Sequence, residues 1–353
     1  MPYDREQAMK RNADFILDEK KTGILIRVTG FGPVDLPAVD PLESFDLPSQ
    51  IDRYCDQIIE RFLRFRDAHD RFDDDWIPCL KPYLGIAEHS CFLGGSVTYG
   101  GNTSYHHPAI DDILDWKTLR LDINTPHYQA LLRGMAILKE KSTHYGFYSA
   151  LRGGDGPMDI ANAVRGNDLL YDFYDEPEAV KELMELCTEA AAWTFSNQYP
   201  LASEVNGGYI SGMTTWMPRN SIGHLSEDAS CLCSPAMYRE FGLPYTSKLL
   251  ENYGYAMMHV HSLGRACIPL IAGMKKICTF QLSGDPNQPD AIDVYREYAD
   301  VLAGRTVLLD MTPEQLTENL DFLKDKKTIV NLEAESPAAA EKAMDAARAF
   351  LAR

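Results

Sequence analysis

The sequence predicts an α/β protein: a (β/α)8 barrel of the TIM type preceded by an N-terminal helical extension. Three observations predict it. Apolar strand-like runs alternate with amphipathic helical runs through the C-terminal half, which is the signature of parallel strands joined by crossover helices. The 353 residues suit one such barrel with an extension. No Gly-x-Gly-x-x-Gly turn follows a strand, so the open doubly wound sheet that could give the same alternation lacks its usual marker.

The elements follow in order. Residues 1–75 read as the extension, with helices near 4–20 and 50–69 flanking an irregular proline-rich stretch at 31–48, and residues 76–353 read as the barrel. Weak strand signals occur near 83–88, then at 145–149, 208–211 and 224–228, with a helix over 177–197. Ser234-Pro235 opens a helix over 236–251, a serine cap with proline in the first turn. Strands follow at 255–261, 276–282, 306–310 and 328–333, which brings the total to eight, with helices over 264–272, 291–302, 313–324 and from Ser336-Pro337 to the end.

Composition excludes several classes of function. A formal charge of −18 is the wrong sign for gripping phosphate, so neither nucleic acid nor an anionic membrane is expected as a partner. The N-terminus has no apolar core of a signal peptide, and no stretch is long and apolar enough to span a bilayer. Eight scattered cysteines fit reduced thiols, and the expected compartment is the cytoplasm. Phosphate-loop, nucleophile-elbow and His-Glu-x-x-His motifs are absent.

In a barrel the chemistry sits where strands run into their following loops. That rule selects Glu88 and His89, Tyr148, Tyr209, Glu227 and Asp228, His259 and His261, Gln281, Asp310 and Glu333. His259-x-His261 is the sharpest signal, because alternate strand residues share a face. With a carboxylate from Glu227, Asp228, Asp310 or Glu333 the pair forms a two-histidine, one-carboxylate metal site, zinc being a suitable ion. The plainer account is one core histidine and one loop histidine. Asp228 reads equally as a general base or ligand and as a helix cap. Tyr209, Glu88 and Gln281 are candidate substrate contacts. Trp216, Met213 and Met217 suit an apolar lid, although such clusters are more often core. Tyr105, His106 and His107 lie in a loop-like region that a pocket mouth would use.

The segment 147–166, Phe-Tyr-Ser-Ala-Leu-Arg-Gly-Gly-Asp-Gly-Pro-Met-Asp-Ile-Ala-Asn-Ala-Val-Arg-Gly, with 169–177 after it, resembles the uroporphyrinogen decarboxylase superfamily. So does 228–245 with its Cys-Ser-Pro-Ala-Met-Tyr-Arg-Glu-Phe-Gly-Leu-Pro-Tyr, and His259 falls on the strand where that family carries a histidine. The order of elements agrees from about residue 88 onward. The resemblance implies a distorted α/β barrel and a homodimer. It offers two chemistries, haem-pathway decarboxylation and methyl transfer to a corrinoid. The Arg-Gln-Ala-Gly-Arg segment of the decarboxylases is missing. The methyltransferases of the family hold zinc with a His-x-Cys and a later cysteine; here His261-Ser-Leu263 or His259-Val-His261 stands in that place, neither has the cysteine, and no cysteine follows Cys278. A bacterial branch with a Gly-Gly-x-Val pattern, matched by Gly94-Gly-Ser-Val97, Thr103-Ser-Tyr105, Trp216 and His259, is the nearest likeness.

By that resemblance the leading expectation is a methyltransferase moving a methyl group between a small methylated compound and a corrinoid (cobalamin) protein partner, with a metal at His259 and His261. The alternative is a metal-free lyase in which Asp228 stabilises a cationic intermediate and His259 or Tyr148 moves a proton. A third reading is a small-molecule or corrinoid-binding protein without turnover.

Overall fold

The computed structural model of the chain describes residues 4–87 and 91–352. Its centre is a parallel sheet. In chain order the strands are β1 (Gly23–Phe31), β2 (Cys79–Leu80), β3 (Tyr148–Ser149), β4 (Gly154–Asp155), β5 (Ser221–Ser226), β6 (Tyr255–His261), β7 (Ile277–Ser283), β8 (Thr306–Met311) and β9 (Lys327–Ala334). Seven of them form one sheet in the order β1-β9-β8-β7-β6-β5-β4, and β2 with β3 makes a separate parallel pair. The architecture is a TIM-like α/β fold. The ladder does not close into a complete ring among the described residues. Instead the free edge of β1 is met by 74–75: the Asp74 and Asp75 carboxylates accept the Val28 and Ile26 N–H groups at 2.7 and 3.0 Å. Those groups would otherwise form an open strand edge.

Local sequence explains most elements. Thr312 caps the helix Pro313–Leu323 through a capping box with Gln315, and Ser336 caps Pro337–Leu351. The continuous helix expected over 236–251 is broken into Pro235–Phe241 and Leu243–Leu250. Pro244 lies in the first turn of the second piece, where its missing N–H is tolerated; inside a single helix it would not be. Gly208–Ile210, expected as a barrel strand, pairs antiparallel with Trp216–Pro218 as a hairpin. The signal near 83–88 is displaced to β2, and β4 was not expected.

The extension also needs correction, because β1 lies inside 1–75 and pairs with β9 along its whole length. Its run Gly-Ile-Leu-Ile-Arg-Val-Thr-Gly-Phe is a buried strand interrupted by Arg27. That residue is fully buried on the inner face and donates to Asn12 and Thr215. The N-terminal helix Arg5–Leu17 supplies the opposing surface. Its Met9, Ala13, Phe15 and Ile16 pack in one cluster with Leu25, Ile77, Ala150, Ile210, Trp216, Leu308 and Ile329. Strand alternation sends Leu308 and Ile329 inward, while Val307, Leu309, Val330 and Leu332 pack outward against the helices. The helix therefore stoppers the end where the strands begin. No helix among the described residues is long and apolar enough to cross a membrane.

Candidate metal centre and cavity

On β6 the same alternation turns Met258 and Val260 to the outer core, leaving Tyr255, Met257, His259 and His261 on the inner face. β5 lies beside β6 and ends in the 3-10 turn Asp228–Leu232, which delivers Asp228 to the same place. One donor atom from each of Asp228, His259 and His261 lies within 4.8 Å of the other two. His259 Nε2 is 3.8 Å from Asp228 Oδ1, and His261 Nε2 is 3.5 Å from Oδ2. A divalent ion about 2.1 Å from each donor sets neighbouring donors roughly 3.4 Å apart in a tetrahedron. Two imidazoles and one carboxylate at these separations fit such an ion, and they leave further positions open on it.

Each donor is oriented from behind. His259 Nδ1 meets Gln281 Oε1, and His261 Nδ1 meets Asp285 Oδ1 at 2.7 Å, so both Nε2 atoms face the centre. Asp228 accepts from Ser226 Oγ at 2.8 Å. Its turn is held by Asp159, whose carboxyl takes the Asp228 and Ala229 N–H groups at 2.8 and 2.7 Å.

Electrostatics separate these groups. Burial lowers the pKa of His259, outweighing the pull of Asp228, which favours the neutral imidazole a metal needs. His261 is raised to about 9 by its contact with Asp228, helped by Asp285. For Asp228 burial opposes ionisation, but His261 and His259 prevail and hold its pKa below the usual range. Asp159 is pushed well above that range by burial and by the charges of Asp155 and Asp228. Glu227 is pushed up to about 7 by burial.

The three donors open on a cavity of about 440 Å³. Lys81, Arg152, Asp155, Asp159 and His224 line it together with Tyr83, Ile86, His106 and Met213. Of the residues singled out from sequence, the structure gathers Asp228, His259, His261 and Met213 at this wall, with Gln281 directly behind His259. His106 reaches in from the hairpin Ser96–Gly100/Thr103–His107, while Tyr105 and His107 stay exposed.

Other residues lie elsewhere. Glu227 points away into the helical layer, accepting from the Tyr238 and Thr246 hydroxyls, and so is not among the converging donors. Asp310 and Glu333 share the inner face but are exposed, and Asp310 is bonded to Asn331 at 2.8 Å, with β7 between β8 and the histidines. Tyr148 sits at the helix-stoppered end, with Arg5 over its ring at 5.4 Å. Trp216 is buried there too, donating Nε1–H to Val205 O at 2.9 Å, so it is core rather than a lid. Tyr209 packs against Tyr199. Glu88 and His89 lie outside the described residues. Lys81, Arg152, Asp155, Asp159 and His224 were not singled out. Arg152, Asp155 and Asp159 fall within the quoted 147–166 segment; a strand-end rule passes over Arg152 because it lies in a loop, over Asp159 because it sits on a helix, and over Asp155 because it ends β4, which was not expected. All eight cysteines are free thiols.

No protein-family model matches the chain, and no curated protein matches it in sequence. A comparison with solved structures finds a methyltransferase from Methanosarcina mazei. The match has a TM-score of 0.58 at 13% identity and covers 91% of this chain and 96% of that one. At that identity the likeness is one of fold.

Proposed function

We propose that this chain is a metal-dependent methyltransferase that moves a methyl group from a small oxygen-linked methyl compound to the cobalt of a corrinoid carried by a partner protein. The observation that carries the reading is the convergence of Asp228, His259 and His261 at the cavity wall. The fold shared with a methyltransferase supports it. A zinc ion held by Asp228, His259 and His261 would supply Lewis-acid polarisation of the substrate oxygen.

The chain's own residues do the rest. On binding a divalent ion, His261 would give up the proton that Asp228 and Asp285 favour on it, so two neutral imidazoles and a single carboxylate would bring the ion one negative charge, whereas thiolate ligands would bring more and weaken its pull on oxygen. Gln281 and Asp285 hold the rings, while Ile86, Tyr83 and Met213 present apolar wall to the carbon framework. In such a transfer the C–O bond would break with its electron pair left on oxygen, and the methyl group would pass to the Co(I) of the partner's corrinoid, which supplies the electron pair for the new bond. The proposed setting is a cytoplasmic homodimer, and sedimentation as a monomer at micromolar concentration would remove the dimer.

A metal-free lyase is the second reading. The 3.5 Å approach of His261 to Asp228, which raises the imidazole's pKa, favours it as an acid–base couple.

Elemental analysis of protein purified without chelator or affinity-tag metal separates the two. Near-stoichiometric zinc that disappears in His259→Ala is expected, and with it a loss of at least about 100-fold in corrinoid methylation, since Lewis-acid stabilisation is worth several kcal/mol. Wild-type protein free of metal, with activity that resists chelators, would sink the methyltransferase reading and favour the lyase.

A further inference from the structure

The two histidines are held by unlike partners. β6 and β7 run parallel with His259 opposite Gln281 and His261 opposite Ser283. Gln281 therefore stands beside His259 across the ladder, and its neutral Oε1 accepts a hydrogen bond from Nδ1–H. Two residues beyond Ser283, the loop brings Asp285 to His261 at 2.7 Å, where the acceptor is a carboxylate. That carboxylate is fixed from other sides as well. Its Oδ2 accepts from Leu263 N at 2.8 Å and Ser262 Oγ at 3.1 Å, and the Asp285 N–H donates to Ser262 Oγ at 2.9 Å. Asp285 thus caps the turn Ser262–Cys267 and grips the ring just before it.

We infer that Asp285 is a positioning residue that makes His261 the stronger of two unequal imidazole donors, with Gln281 leaving His259 the weaker. The inference rests on the proposed metal centre. An anionic acceptor draws the Nδ1 proton toward itself and pushes electron density to Nε2, whereas an amide oxygen does so much less. The clamp from Leu263 and Ser262 keeps the carboxylate from swinging away, so the effect is built in. Orientation alone would need no charge; donor strength does.

The test is zinc affinity, measured without substrate by competition with a chromophoric chelator at fixed pH. Asp285→Asn removes the charge while its amide oxygen can still accept from His261 Nδ1–H and hold the ring; affinity is expected to fall about 10- to 100-fold. Gln281→Glu adds a charged acceptor behind His259 and is expected to tighten binding. It is an independent arm should the first variant fold poorly, which thermal unfolding of the zinc-free proteins reports. Affinity of Asp285→Asn within twofold of wild type, or a Gln281→Glu protein no tighter than wild type, would overturn the inference. A wild-type chain that binds no zinc would overturn it together with the proposed function; zinc bound by wild type with the variants unchanged would overturn this inference alone.

Discussion

His259 and His261 stand on one face of one strand with ring centroids 4.6 Å apart and planes at 84°. The edge-to-face setting lets both Nε2 atoms address the same point as Asp228 without the rings colliding. It follows from strand periodicity and from the separate partners, Gln281 and Asp285, that turn each ring.

Glu227 gives a pH prediction that is independent of metal. Its carboxyl ionises near 4.5 in the unfolded chain and at about 7 in the fold, because it is buried. Between those values the folded chain holds a proton that the unfolded chain has released. The contribution is therefore fully present below 4.5 and is lost as pH rises through about 7. The loss is roughly 3 kcal/mol. Urea unfolding of chelator-treated protein between pH 4 and 8 should show this fall in wild type and a flatter profile in Glu227→Gln. Identical profiles would count against it.

Trp216 tests the placement of the hairpin. Trp216→Phe removes the Nε1–H donor to Val205 and should cost about 1–2 kcal/mol in denaturant unfolding. Ligand affinity at the cavity should be unchanged. A large rise in KM with unaltered stability would return Trp216 to the role of lid.

Gly153 shows how tightly the cavity is built. Its φ is +85°, and a Cβ there would lie 2.5 Å from His224 Nδ1. Gly153→Ala should displace His224 and destabilise the fold by about 1–3 kcal/mol. Gly94→Ala, at φ +100° with nothing near the added carbon, meets backbone strain alone. A Gly153→Ala protein as stable as Gly94→Ala would contradict the contact.

The parts of the fold legible in the sequence were those governed by local rules. Strands β6 to β9 and the helices capped by Thr312 and Ser336 announce themselves through apolar runs and cap chemistry. β1 did not, since Arg27 interrupts its pattern and donates to Asn12 and Thr215 from distant segments. The site divides in the same way. His259 and His261 are two apart on a strand, so their shared face is a local fact. The choice of Asp228 over Glu227 depends on where Tyr238 and Thr246 sit, and the exclusion of Asp310 depends on strand order. Asp159 and Asp285 act through the Asp228 and Ser262 turns, contacts between distant segments that no local pattern shows, although Asp159 lies within the 147–166 segment.

The helix Arg5–Leu17, packed across the strand-starting end, fills that end of the interior with side chains. A partner that brings a second reactant would therefore meet the substrate from the opposite side, where Asp228, His259 and His261 face the cavity.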